Sequence, residues 1–419
     1  MNSKELYLKI KENNLDLCTD TRDMKEGCFF AAISGENFDG NDYAQEALEK
    51  GAQFALVDNP KLSKKEGFIF VENVLQTLQG LALLHRQTFN IPIVVIGGSN
   101  GKTTTRNLLC EVLQKKYKVH QTIKNFNNHI GLPITILAMT EDTEIAVFEL
   151  GANHIGEHTE LIQLIQPTHV LVTNNGLDHL EGFGSVENVR TANKEIYDWA
   201  IEHNAQIFVN KDLVDLFEDS SLGNQIVYSG QEFKIVPGEY LKMEFKNYTI
   251  QSQLYGSYNS SNIAAAMCVG EEFGVGMKDM VQAIGDFQPK NNRSQVIKKV
   301  GYTIILDCYN ANPSSMEVSL QDLFKIKSRK IIILGDMLEL GEYARGAHKD
   351  ILDLVEGNVS GNDNVICVGE YFFEWKDSFD FVFVKNSEEA KEIFDSLEKE
   401  NSIIFLKGSR GIALETIVE

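Results

Sequence analysis

Residues 91–105 read IPIVVIGGSNGKTTT: an apolar run, then glycines, then a lysine followed by three threonines. The four apolar residues Ile93 to Ile96 predict a buried strand, and "TTRNLLCEVLQKKY" behind the glycines has the periodicity of a helix. Strand, glycine loop and helix in that order predict a phosphate site. Glycine lets backbone N–H groups approach an anion, the helix N-terminus adds positive potential, and Lys102 can reach a terminal phosphate. Thr103 or Thr104 supplies a hydroxyl for a magnesium ion. The common pattern G-x-x-x-x-G-K-[ST] would require glycine at position 96, where Ile96 stands. Spacing alone leaves a degraded nucleotide site, a chance match or a different, shorter loop, and by itself the stretch names no reaction.

Outward from the loop, the chain alternates strand-like and helical runs. From Met1 to about Asn90, "CFFAAI" and "FALV" alternate with helical stretches such as "VLQTLQGLALLHRQ". From "IPIVVIGG" onward, "EIAVFELG" and "THVLVTNN" are buried strands of the parallel-sheet type, which predicts a doubly wound sheet. Near Arg293 a third series begins, with "YTIILDCYNANPSSMEV", "KIIILGDM", "NVICVGE" and "SIIFLKGSRG". The expected fold is α/β in three domains: a small N-terminal α/β substrate domain over 1–89, a central doubly wound P-loop-type ATPase domain over 90–293, and a C-terminal Rossmann-like domain over 294–419.

Composition narrows the function. Sixty acidic against 39 basic residues give a net charge of −21, which repels nucleic acid and anionic membrane surfaces. Cys18, Cys28, Cys110, Cys268, Cys308 and Cys367 form no C-x-x-C pair, so neither a zinc ribbon nor a disulfide framework is expected. The N-terminal "MNSKELYLKIKENN" lacks an apolar signal core, and no run approaches a membrane span. A cytoplasmic, monomeric enzyme that binds no nucleic acid and does not insert into membranes is expected. His154 and His158 have zinc-like spacing but no further ligands, and are read as loop and helix surface.

Together with the loop, "TDTRDMKEGCFFAAISGENFDG", "NFNNHIGLP", "ELGANHIGE", "DHLEGFGS", "DCYNANPSS" and "KGSRG" resemble the Mur ligase family, in order, from Asp20 to Gly411. The family's phosphate loop has the shorter form found here. Within the family the motifs resemble those of members that join D-alanyl-D-alanine to UDP-N-acetylmuramoyl-tripeptide in peptidoglycan precursor synthesis. That resemblance implies ATP and Mg2+, and a carboxylate activated as an acyl phosphate before an amine attacks it. Other readings stay open at this stage: another Mur-type or folylpolyglutamate-type ligase, a P-loop switch with slow hydrolysis, or a metabolite kinase.

The resemblance also implies roles residue by residue. Gly98, Ser99, Asn100, Gly101, Lys102, Thr103 and Thr104 would hold the ATP phosphates, with Asn259 at the adenine and Arg293 and Asp307 closing on the nucleotide from the edge of the central block and beyond. Asn262 would instead fix the loop against the helix that follows. Lys102 would neutralise charge on the γ-phosphoryl, while Glu149 and His179 would hold metal together with Thr103. The precursor would meet Thr21, Arg22 and the "GENFDG" turn at one end, and Asn125, Asn127 and Asn128 nearer the chemistry. Tyr309 and Asn310 would lie nearby, and the "KGSRG" loop, with Lys407, Ser409 and Arg410, would bind the dipeptide carboxylate. Such a site lies between domains, so closure that excludes water is expected.

One position departs from the family. Many members carry a carbamylated lysine near the second metal, at what would be position 193, but this chain has Asn193 followed by Lys194. One residue on a helix is a rotation of about 100°, so Lys194 faces away unless the helix changes register. The expectation is that Asn193 serves through its neutral amide.

Overall fold

A computed structural model describes residues 3–12, 16–35, 38–236 and 238–418. The chain divides into two compact units, one from 1–95, 118–151 and 157–169, the other from 96–117, 152–156 and 170–419. The architecture is α/β, dominated by parallel sheets.

The first unit opens with four parallel strands in chain order, Leu17–Cys18, Phe29–Ala31, Phe54–Val57 and Phe68–Phe70. Their buried face, with Cys28, Phe30, Ala55 and Val57, packs on small helical residues such as Ala44 and Ala47. Helix Val74–Arg86 begins where the Asn73 side chain accepts from Gln76 N, leaving Val74, Leu78, Leu81 and Ala82 buried. The same unit holds most of strand Ile93–Gly97, followed across the sheet by Ile145–Glu149 and Val119–Gln121. The strands Ile93–Gly97 and Ile145–Glu149 are buried along their whole length, so both faces of the sheet are covered.

In the second unit, strands His169–Val172, Gln206–Asn210 and Asn224–Tyr228 lie side by side. The alternation then breaks. A three-stranded antiparallel sheet, Lys234–Val236, Lys242–Phe245 and Tyr248–Gln251, interrupts the α/β series that the sequence led us to expect up to Arg293. Its strands are only three or four residues long, so no apolar run announces it; Gly238 marks the first connection in the sequence, while the second turns at Lys246 (φ 51°). The last six-stranded sheet runs in the order Gln295–Lys299, Tyr302–Leu306, Ser402–Lys407, Arg329–Gly335, Asn364–Val368 and Val382–Val384. All its pairs are parallel except the first. Among the described residues, no helix is long and apolar enough to cross a membrane.

Candidate active site

Gly97 ends its strand, and the loop then turns through Gly98 (φ 111°) and Gly101 (φ 85°) into helix Lys102–Leu113. Both turns require glycine. A Cβ at Gly98 would lie 2.3 Å from Thr173 Oγ1, and one at Gly101 would lie 2.5 Å from Asn262 Oδ1. Residues just beyond the strand His169–Val172 clamp the loop. Ser99 N donates to Asn174 O (2.9 Å), Asn100 N to Asn174 Oδ1 (3.0 Å), and Thr173 Oγ1 to Asn100 O (2.6 Å). Lys102 folds over the loop, its ammonium donating to Gly98 O and, at 2.9 Å, to Ser99 O. Thr103 is half-buried and Thr104 buried in the first helical turn.

Asn262 locks the start of this helix. It accepts from Thr105 Oγ1 at 3.1 Å and donates to Asn259 Oδ1 at 2.8 Å. Asn259, expected at the adenine, is only 1% exposed, and its amide donates to Tyr255 O (2.7 Å) and Ser294 Oγ (3.1 Å). The third block reaches the loop directly. Asn312 Nδ2 donates to Asn100 Oδ1 at 2.8 Å, and Asn100 Nδ2 donates to Ser314 Oγ at 3.4 Å. Asn312 also caps helix Pro313–Lys325, accepting from Ser315 N at 2.8 Å.

Asp307, just past the strand Tyr302–Leu306, receives Lys407 Nζ at 2.6 Å, Ser294 N at 3.0 Å and Tyr258 OH at 3.2 Å. Burial pushes its pKa up, but the charge and hydrogen bond of Lys407, helped by Ser294 and Tyr258, outweigh burial and hold the carboxyl below its ordinary value. Arg293 stacks on Tyr309 with its guanidinium carbon 3.6 Å from the ring centre, and Arg410 stands 5.1 Å from the same centre. Asn310 is exposed, its side chain accepting from Ala311 N at 3.0 Å.

Two expectations at "KGSRG" change. Lys407 is the last residue of a strand, 3% exposed and paired with Asp307, not a free loop cation. Ser409 is 2% exposed; its hydroxyl accepts from Leu338 N (2.9 Å) and donates to Ala311 O (3.4 Å), so it joins two loops that end strands. Sequence reasoning missed the lysine's role because its partner lies 100 residues earlier. The alternation of strands was the available signal, since it places both residues at the carboxyl ends of neighbouring strands.

His179 has left-handed backbone (φ 49°), and its Nδ1 lies 2.5 Å from Glu339 Oε2. That hydrogen bond lowers the Glu339 carboxyl. Asn193 is buried on the uninterrupted helix Val186–Glu202, its amide donating to Asn175 Oδ1 at 2.8 Å. Lys194 instead pairs with Asp198 one turn on, at an exposed position on the same helix.

In the first unit, Glu149 ends its strand only 3% exposed, with Asn127 Nδ2 donating to its Oε1 at 2.9 Å and Thr122 Oγ1 bonded to its backbone N at 2.8 Å. Asn125 is exposed, whereas the Asn128 side chain accepts from Ile130 N and Gly131 N in the turn that leads into helix Gly131–Leu137. Thr21 is buried; Arg22 is exposed and grips Asp20 with three bonds of 2.6–3.1 Å, which holds the Asp20 carboxyl down to about 2. Glu36 and Asn37 of the "GENFDG" turn lie outside the described residues. His154 lies exposed before helix Glu157–Ile165, as expected, but the reading of His158 is corrected: it is buried within that helix, not on its surface. Among the described residues, no group of three His, Cys, Asp or Glu side chains converges as a ready metal site.

Three family descriptions match the chain in series: "Mur ligase family, catalytic domain" over residues 17–86, "Mur ligase middle domain" over 96–270, and "Mur ligase, glutamate ligase domain" over 292–410. The UDP-N-acetylmuramoyl-tripeptide–D-alanyl-D-alanine ligase of Bacillus subtilis strain 168 is 32% identical, covering 96% of this chain and 92% of its own length. The ligase of that name from Escherichia coli K12 is 30% identical over 84% of this chain and 80% of its own. Among solved structures, a MurF ligase from Thermotoga maritima in complex with ADP superposes with a TM-score of 0.85 at 26% identity, covering 96% of both chains. A MurF from Acinetobacter baumannii gives 0.86 at 26% identity, covering 96% of this chain and 92% of that one.

Proposed function

Because the chain belongs to the Mur ligase family, we propose that it joins D-alanyl-D-alanine to UDP-N-acetylmuramoyl-tripeptide at the expense of ATP, in peptidoglycan precursor synthesis. The observation that carries this reading is similarity to a ligase of that specificity along 96% of the chain. The domains are drawn at 1–89, 90–293 and 294–419. The substrate is a nucleotide-linked sugar peptide, and the reaction is assigned to the cytoplasm, with a single chain as the working unit.

The chemistry follows from a carboxylate's inertness. Its oxygen is a poor leaving group, so an amine does not displace it at neutral pH. The terminal carboxylate of the tripeptide attacks the γ-phosphorus, ADP departs, and an acyl phosphate remains. The dipeptide amine then attacks the acyl carbon, phosphate leaves, and the nitrogen gives up a proton. Both steps crowd negative charge, so the chain must supply cations and fixed donors.

Lys102 and the start of helix Lys102–Leu113, on a loop held in place by the bonds of Ser99 N and Asn100 N to Asn174, take the phosphates, with Arg293 and Asp307 at the nucleotide. Magnesium takes much of its coordination from phosphate oxygens and water, so it needs few protein ligands. A deeply buried carboxylate, Glu149, and the Thr103 hydroxyl fit that hard cation. His179 fits through Nε2, because its Nδ1 is already turned to the Glu339 carboxylate, the arrangement that orients metal-binding imidazoles. When bound, the ion neutralises phosphate charge. Thr21, Arg22, Asn125, Asn127 and Asn128 are assigned to the precursor side, and Tyr309, Asn310, Ser409 and Arg410 to the dipeptide side, Asn127, Asn128 and Ser409 acting by positioning.

Mass spectrometry of the products from ATP, the tripeptide precursor and D-alanyl-D-alanine tests this reading. The expected result is a pentapeptide precursor, ADP and phosphate, with phosphate release requiring all three substrates. A stable phosphorylated product would indicate a kinase, and hydrolysis without acceptor a switch.

A further inference from the structure

A continuous chain of buried polar contacts runs from the phosphate loop to the far sheet of the second unit. Thr105 bonds Asn262, which bonds Asn259, which donates to Ser294 Oγ. Ser294 donates its N–H to Asp307 Oδ1, and Tyr258 OH reaches both Ser294 Oγ (2.8 Å) and Asp307 Oδ2. Lys407 closes the chain on Asp307. Thr105, Asn259, Asn262, Ser294 and Lys407 are each no more than 8% exposed.

This chain grips an unusual piece of backbone. Asn291, Asn292 and Ser294 have φ of 59°, 56° and 48°, in the left-handed region that asparagine visits readily but serine seldom, so the serine is the member that its surroundings have to hold. Arg293 sits among them. The holding contacts are Asp307 on Ser294 N, Tyr255 N on Ser294 O (2.9 Å), and Tyr309 N on Asn292 O (3.2 Å). Burial raises the Asp307 carboxyl, and among the groups that hold it down the charge and hydrogen bond of Lys407 act most strongly. Lys407 keeps both oxygens available.

The geometry points to Lys407 as a positioning residue that acts through Asp307 and Ser294 to fix the left-handed segment and so aim Arg293 across Tyr309. This rests on the ligase reading above and assigns Lys407 to the nucleotide side of the reaction. The dipeptide carboxylate has to be met by other groups.

A kinetic cycle with Lys407→Met in the wild-type and Arg293→Ala backgrounds tests the assignment. If Lys407 works through Arg293, Lys407→Met lowers kcat about 30-fold and changes KM for D-alanyl-D-alanine less than about threefold. In the Arg293→Ala background it then costs less than about threefold more, because the effects share one route. A tenfold rise in the dipeptide KM with kcat intact would make Lys407 a dipeptide ligand and overturn the proposal, as would equal losses in both backgrounds. Circular dichroism checks folding. If Lys407→Met does not fold, Lys407→Gln, which keeps a polar donor facing Asp307 but removes the charge, enters the same cycle with the same expectations. Failure of the ligase reading is separate: the unmodified chain would then form no pentapeptide precursor.

Discussion

Asn127 donates its side-chain amide to Glu149 at 2.9 Å, and by doing so fixes one oxygen of a carboxylate that is almost wholly buried. A partner that orients a metal ligand typically changes metal affinity about 10-fold or more when removed. Asn127→Ala should therefore raise the magnesium concentration for half-maximal activity about 10-fold, with much of kcat recovered at saturating metal. Glu149→Gln should not recover. An unchanged magnesium titration for either variant would remove Glu149 from the metal site.

Lys102 lies against the carbonyls of its own loop, within reach of the phosphates the loop would hold. If its charge matters most as the γ-phosphoryl transfers, Lys102→Ala lowers kcat by about 1,000-fold while nucleotide affinity, measured by calorimetry, weakens less than about 10-fold. Equal and small losses in both would leave the lysine with a binding role only.

Lys194 pairs with Asp198 while its neighbour Asn193 is buried on the same uninterrupted helix. Lys194→Ala should leave activity within about twofold, and depleting bicarbonate at mildly acidic pH should have no effect, because a pair on the helix surface is worth little. A carbamate signal on Lys194 in the carbon NMR spectrum would contradict this.

His348 and Asp336 form a buried pair with opposite pH signatures. Burial lowers His348 to about 4, and Met337 N donates to its Nε2 at 3.0 Å, a bond that requires the unprotonated nitrogen. Unfolded, that imidazole would titrate near its ordinary value of 6.5, so stability is lost as pH falls from there toward 4. Burial raises Asp336 from 3.8 to about 6, so its contribution is lost as pH rises through that range. The two oppose, and this pair adds little net slope between pH 4 and 6. NMR separates them: the His348 ring should stay neutral down to about pH 5, while the Asp336 carboxyl changes near pH 6. A ring titrating at its ordinary value would refute the pairing.

The phosphate loop could be read from sequence because its causes are local: an apolar strand, two glycines at left-handed turns, and a helix start within a dozen residues. The alternation of buried strands gave the α/β architecture for the same reason. Lys407 could not be read this way. A strand-end lysine looks the same whether it faces solvent or a carboxylate, and burial beside Asp307 decides its role. Asn128 and Asn127 also look alike in "NFNNHIG", yet one holds the turn into a helix and the other holds Glu149, a difference set by backbone direction and hidden from composition.

Asn312 caps its own helix with Oδ1 and, with Nδ2, holds Asn100 in the phosphate loop across 212 residues of chain. The three matched domains look like interchangeable modules, but this side chain, with Ser314 beside it, joins the third to the phosphate loop of the second. A fragment ending before Gln295 would keep the glycine turns and the Thr173 clamp, and would lose the partner of the Asn100 side chain. A chimera that borrows its last domain from a relative would retain a native loop only if the donor places an amide at the same helix cap. Exchange between such enzymes is therefore constrained at a residue far in sequence from the loop it supports.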